Sequence, residues 1–280
     1  MQIIVSSASG SNGQGLGALL AFAPDGSGGT PFATDSGIVD PRGLHVHPDG
    51  RHLYVNSGDD RVLLLDTMGK VVAATPPIPE LNPGGGFVVP DGRFCVTSRT
   101  MRTVVAFPAD LRGPGEPLFR RGVVSFPRGF AFAPDGRLFL ASGASAGDTG
   151  PGRILVFAPE TKDATTLIED PDLSPLDVTL APSGHLLVTS EVPFGSPTAV
   201  GMVREYDTRS GRLVRVFAPD ASVTFRRPRG LRLTRDGRLC CVARDEAVAF
   251  DLASGRFLGA LLRFQDLYGQ ALDFFPAGTP

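Results

Sequence analysis

Pro41-Arg42-Gly43-Leu44-His45-Val46-His47-Pro48-Asp49-Gly50, followed by Leu53-Tyr54-Val55, is the stretch that organises this chain. It recurs at 83–92, 127–136, 175–184 and 228–237, and a sixth copy without the Pro-Arg opening runs Gly269-Gln270-Ala271-Leu272-Asp273-Phe274-Phe275-Pro276-Ala277-Gly278. The anchors Pro41, Pro83, Pro127, Pro175, Pro228 and Gly269 lie 41 to 53 residues apart. A regular period of that size decides architecture ahead of every other signal. The sixth unit is completed by the start of the chain, where Ile3-Ile4-Val5 matches Leu53-Tyr54-Val55 and Leu19-Leu20-Ala21-Phe22 matches Val62-Leu63-Leu64-Leu65.

Within a unit the signals are short apolar runs separated by turns. Leu44 and Val46 alternate with polar residues, Pro-Asp-Gly follows, then come Leu53–Val55, a polar loop, Val62–Leu65, and a last run such as Leu213–Phe217. The glycine of Asp-Gly supplies the positive φ that a tight hairpin turn requires. Four strands in 40 to 50 residues, repeated radially, predict an all-β, six-bladed β-propeller with four-stranded blades. A single domain is expected over 1–280, its ring closed by one C-terminal and three N-terminal strands. The blades run approximately 269–280 plus 1–40, then 41–82, 83–126, 127–174, 175–227 and 228–268. The anchor resembles NHL-type repeats and, more broadly, the six-bladed propellers of the gluconolactonase and strictosidine-synthase superfamily.

Composition agrees. With 35 glycines and 25 prolines among 280 residues, a mainly helical protein is excluded. A net charge of −2 without like-charge blocks argues against a nucleic-acid surface or a membrane anchor and for small-molecule or protein partners. Of the 27 basic residues only Lys70 and Lys162 are lysines, an arginine excess that reads either as genomic codon bias or as a use of planar anion-binding forks, which composition does not separate. Three cysteines, two of them the adjacent Cys240 and Cys241, imply no disulfide framework. A cytoplasmic monomer is expected.

In a propeller the first strand of each blade lines the axis, and its opening shares a face with the loop joining strands two and three. The second anchor residue therefore falls six times around the channel mouth: Arg42, Gly84, Arg128, Leu176, Arg229 and Gln270. Three guanidinium groups facing one axis repel by roughly 3 kcal/mol per pair at about 6 Å and an effective dielectric near 20. Either Asp177, Glu191 or Asp273 relieves that repulsion, or an anionic substrate does; a third possibility is that each arginine leans sideways onto neighbouring carbonyls. The fifth anchor position carries His45, Arg232 and Asp273 in consecutive blades, a set in which Asp273 could orient the imidazole of His45 as a general base, or in which the charges simply form a structural pair. The openings after the second strand add Asn56, Arg99, Glu191 and Arg244.

The resemblance implies a metal where lactonases of the superfamily carry Asn or Asp at the Pro-x-Gly position. Arginines stand there in this chain, so no metal and no cofactor is expected. His45 and His47 share a strand face without a third neighbouring histidine, and His52 and His185 are read as surface turn residues. Gly13–Ala18 mimics a dinucleotide fingerprint and Gly143–Gly147 a nucleophile elbow, but both lack the helix their mechanisms need. Gly-rich loops at 9–17, 143–152 and 192–201 are expected to cover the mouth. Three readings follow: a metal-independent enzyme acting on an anionic or polar small molecule, with His45, Asp273 and Glu191 as catalytic candidates and Arg42, Arg128, Arg229, Gln270, Arg232, Asp177, Asn56, Arg99 and Arg244 as binding residues; an NHL-like propeller that binds a protein or peptide; and a calcium-stabilised propeller.

Overall fold

A computed structural model describes residues 1–8, 16–33, 37–143, 151–158, 163–191 and 202–277. Its strands form six antiparallel sheets of four. The closing blade sets the C-terminal strand β24 (Gly269–Phe275) beside β1 (Gln2–Ser7), β2 (Ala18–Phe22) and β3 (Gly28–Pro31). Ile4 is paired with Asp273 on one side and Ala21 on the other, so the two ends of the chain meet within one hydrogen-bonded ladder. That pairing removes the free edges an open ring would expose.

The second blade is β4 (Gly43–Val46), β5 (Leu53–Ser57), β6 (Arg61–Leu65) and β7 (Val71–Ala74), and the third is β8 (Pro83–Val88), β9 (Phe94–Ser98), β10 (Thr103–Phe107) and β11 (Glu116–Pro117). The fourth holds β12 (Pro127–Phe132), β13 (Leu138–Ser142), β14 (Gly152–Phe157) and β15 (Ala164–Asp170). The fifth holds β16 (Pro175–Leu180), β17 (Leu186–Ser190), β18 (Met202–Tyr206) and β19 (Leu213–Phe217), and the sixth β20 (Leu231–Leu233), β21 (Arg238–Val242), β22 (Glu246–Asp251) and β23 (Phe257–Arg263). Strands β5, β9, β13 and β17 are buried along their whole length because a neighbouring blade covers each face. This is why they read as near-continuous apolar runs instead of alternating. The core is distributed as a cluster at each blade interface; between blades two and three, for example, Tyr54 stacks on Phe94 with ring centroids 3.9 Å apart. Cys95, Cys240 and Cys241 are free thiols buried in these layers.

The repeated glycines do two different jobs. Gly50, Gly92, Gly136, Gly184 and Gly237 close the Asp-Gly and Ser-Gly turns with φ between 66° and 88°. At Gly50, Gly92, Gly184 and Gly237 a Cβ would meet nothing within 4 Å. The third anchor position is limited by space: a Cβ on Gly85 would lie 2.9 Å from the Cα of Gly129, and one on Gly129 would lie 2.1 Å from the Asp177 carboxylate. Inner strands of adjacent blades thus approach backbone to backbone, which keeps the axial channel narrow. Just above that constriction the ladder slips in four blades, between Pro83 and Gly86, Pro127 and Phe130, Pro175 and Val178, and opposite Gln270. Such bulges re-aim the residue they leave unpaired, here the second anchor residue, which turns toward the mouth.

Candidate functional site

A cavity of about 70 Å³ lies at the channel mouth. Arg42, Arg128, Arg229 and Gln270 from the anchors line it with Arg99, while Arg232 and Asp177 face it from below. The arginines expected from the repeat therefore share one space, joined by Arg99 from the end of β9. Their surroundings differ sharply.

Arg42 donates from Nε to Asp40 at 3.2 Å and from a terminal nitrogen to the side-chain oxygen of Asn82. Asp40 and Asn82 were not anticipated; each directly precedes an anchor proline and adopts a positive φ, and that shared position was the signal available. Arg229 lies 3.4 Å from Glu191, which also has Arg227 at 3.6 Å. Arg128 rests over the ring of Phe126 at 4.3 Å, and its Nε is buried without a hydrogen-bond partner. Arg99 has one long bond to the carbonyl of Pro83, 3.5 Å, and its Nε is likewise buried and unpaired. Burial, reinforced by the neighbouring positive charges of Arg42, Arg128 and Arg229, lowers the pKa of Arg99 to about 9. Burial first and Arg229 next lower that of Arg128 to about 10, with Glu191 acting in the opposite direction. Both groups remain charged at neutral pH, in a setting that disfavours the charge.

Asp177 and Asp273, the candidate counter-charges for the mouth, serve the inner wall instead. Asp273 accepts hydrogen bonds from Arg232 Nε and from the Val46 amide, each at 3.0 Å, and from the Phe274 amide at 2.8 Å. Arg232 also donates to the carbonyls of Leu231 and Leu44. Burial alone would lower Arg232, but the carboxylates of Asp273 and Asp177 outweigh it and hold the guanidinium above its ordinary pKa. Asp177 accepts from the Leu231 and Val178 amides, and burial pushes its carboxyl up.

No hydrogen bond joins Asp273 to His45, because the carboxylate is already occupied by Arg232 and two backbone amides. Of the two readings of this set, the structure shows the structural pair, Arg232 with Asp273, and not the Asp-oriented imidazole: His45 Nδ1 is buried without a partner among the described residues, and its ring lies 5.3 Å from Phe87 and 6.3 Å from Phe94. Burial and then Arg232 lower its pKa to about 4, which keeps it neutral. Asn56 is buried, its amide donating to the Gly84 carbonyl at 2.7 Å across the blade interface. Arg244 stacks on Tyr268 at 4.5 Å and donates to its hydroxyl at 2.6 Å. Gln270 donates to the carbonyls of Tyr268 and Gly269. The expected covering loops fall largely outside the described residues, as do half of the Gly13–Ala18 motif and all of the Gly143–Gly147 motif after Gly143.

A divalent metal at the mouth does not fit these residues. The lining presents guanidinium groups where a hard cation needs several oxygen ligands; its carboxylate Asp177 is taken up by the Leu231 and Val178 amides, and Asp40 and Glu191 are bound to arginines.

No protein-family model matches the chain, and no curated protein matches it. Solved structures do share its fold. A chain of a nidogen/laminin complex superposes over 99% of both chains at 13% identity with a TM-score of 0.75. A gluconolactonase from Xanthomonas campestris matches at 15% identity and a TM-score of 0.60, covering 81% of this chain and 77% of that one. Virginiamycin B lyase from Staphylococcus aureus matches at 16% identity and 0.55, covering 78% and 68%. The likeness is to gluconolactonase-type and NHL-like six-bladed propellers and concerns the fold.

Proposed function

We propose that the protein binds a small molecule bearing a carboxylate or phosphate at the channel mouth and acts on it without a metal. The observation that carries this reading is the pair of guanidinium groups, Arg99 and Arg128, whose buried Nε atoms have no partner among the described residues while Arg42, Arg229 and Arg232 on the same cavity are paired. An oxyanion between them would accept charge-assisted hydrogen bonds and relieve the repulsion among like charges. About 70 Å³ accommodates the charged head of a ligand and not the whole of a drug-sized molecule, so the remainder would lie above the mouth. Glu191, fixed by Arg229 and Arg227, is the carboxylate best placed to exchange a proton with such a ligand. A gluconolactonase and a lyase share the fold, which supports an enzymatic reading of the propeller.

The test is a thermal-shift and calorimetric titration with phosphate, mono-, di- and tricarboxylates and a neutral polyol. Saturable stabilisation by anions that disappears in the Arg99→Ala/Arg128→Ala variant supports the reading. No stabilisation by any anion, or equal stabilisation of the variant, overturns it. The likeness to a chain of a nidogen/laminin complex favours a second reading, in which the anion is a carboxylate of a partner protein or peptide; acidic peptides belong in the same titration.

A further inference from the structure

On the face opposite the mouth, the hairpin joining β4 to β5 gathers a second set of chemistry-bearing side chains. His47 leaves the end of β4, His52 precedes β5, and Asp49 occupies the turn between them. Their ligand atoms all lie within 4.8 Å of one another. His52 Nδ1 is 2.7 Å from one carboxylate oxygen of Asp49, and His47 Nδ1 is 3.0 Å from the other. The two imidazole rings stand 5.9 Å apart and nearly perpendicular, converging on the carboxylate from different directions.

The hairpin itself fixes this arrangement. The Arg51 and His52 amides donate to Asp49 Oδ1 at 2.7 and 3.1 Å, which holds the carboxylate in one orientation and presents Oδ2 toward His52. Backbone donors that aim a ligand in this way are the outer-shell support that metal sites use. The His47 ring packs 5.3 Å from that of the buried Tyr54, whose hydroxyl is tied to the Ala109 carbonyl at 2.6 Å, so one imidazole is anchored from behind. The hydrogen bonding at His47 is also contradictory. The Asp49 amide, 3.1 Å away, asks for a lone pair on Nδ1, whereas the carboxylate oxygen at 3.0 Å asks for a proton there. A cation held between Nδ1 and the carboxylate oxygen would take the place of the proton that contact asks for, displacing the Asp49 amide from the Nδ1 lone pair.

We propose that His47, Asp49 and His52 form a binding site for a divalent first-row transition metal of the zinc type. Two imidazoles and one carboxylate are a donor set that suits Zn²⁺, Co²⁺, Ni²⁺ or Cu²⁺ and not Ca²⁺ or Mg²⁺, which take oxygen ligands. Three protein ligands leave a coordination position for water or an external group. The corresponding turns, Pro90-Asp91-Gly92, Pro134-Asp135-Gly136, Pro182-Ser183-Gly184, Arg235-Asp236-Gly237 and Pro276-Ala277-Gly278, do not carry histidines at both ends, so blade two alone holds the set. The site is separate from the arginine cavity and stands or falls independently of it.

The experiment is a titration of chelator-treated protein with Co²⁺, read by its visible absorption, followed by displacement with Zn²⁺. One equivalent with saturable binding is expected, weakened roughly tenfold or more in each of His47→Gln and His52→Gln. Arg128→Ala should bind the metal as the unaltered chain does. Circular dichroism on each variant establishes that the propeller is intact. Absence of saturable binding in the unaltered protein, or unchanged affinity in the folded His47→Gln/His52→Gln double variant, would overturn the assignment.

Discussion

Two arginine environments lie one above the other on the same axis, and they differ in what surrounds the charge. On the inner wall Arg232 is held by Asp273 at 3.0 Å, by the carbonyls of Leu231 and Leu44, and by the nearby charge of Asp177. At the mouth Arg99 and Arg128 are enclosed by protein yet keep buried Nε atoms without partners. The guanidinium pKa is raised in the first case and lowered in the second, to about 9 and about 10. The difference separates an arginine whose partners are built into the fold from arginines whose partner must come from outside. Position in the repeat sets Arg128 at the second anchor site and Arg232 at the fifth, but it does not say which of the two finds a carboxylate.

The largest expected effect comes from breaking the inner pair. Asp273→Ala leaves Arg232 largely buried without its carboxylate, and removing one member of a buried pair costs about 3–5 kcal/mol. Urea unfolding should show that loss, and the Asp273→Leu/Arg232→Met double variant should recover most of it, because an apolar replacement of both charges is often neutral. A double variant as unstable as the single one would mean that Asp273 acts chiefly through the Val46 and Phe274 amides and not through the charge of Arg232.

Next in size is a pH effect beside that pair. The His45 pKa falls from its ordinary value near 6.5 to about 4 in the folded protein, chiefly through burial. The unfolded chain therefore binds the proton first as the solution is acidified. Stability attributable to His45 is complete above pH 6.5 and falls as the pH drops toward about 4, by at most about 3 kcal/mol. Urea midpoints measured across that window should decline in the unaltered protein and stay flatter in His45→Gln. Equal slopes in the two proteins would contradict a neutral, buried His45.

The repeat made the fold legible because most blades share the same devices: turns closed by glycine, a glycine where inner strands touch, and a buried, mainly apolar central strand. Its register also puts the second anchor residue at the mouth, so the spacing of the anchors is enough to group Arg42, Arg128 and Arg229. Pairing was harder to read. Asp177 and Asp273 belong to anchors of the same repeat as the mouth arginines, but the pleat turns them toward Arg232 and backbone amides one layer below. Arg42 finds its partners in Asp40 and Asn82, whose backbone conformations just before the anchor prolines carry no strong sequence signature. The convergence of His47 and His52 on Asp49 depends on hairpin geometry that spacing alone did not specify.

The smallest expected effect is the most discriminating. If the mouth arginines are poised for an external anion, replacing them should cost the empty protein little, because each buried charge is already opposed by its neighbours. Arg99→Met and Arg128→Met should each change unfolding stability by no more than about 1 kcal/mol, toward greater stability, since they remove a desolvated cation and keep an apolar stem. The same substitutions should abolish the anion-dependent rise in stability, which for the unaltered chain reaches about 2.7 kcal/mol at a ligand concentration a hundredfold above Kd. A loss comparable to that of Asp273→Ala would place the mouth arginines with Arg232, as members of the fold's internal framework. Gain or neutrality without ligand, joined to loss of the ligand effect, is the combination that only a binding role produces.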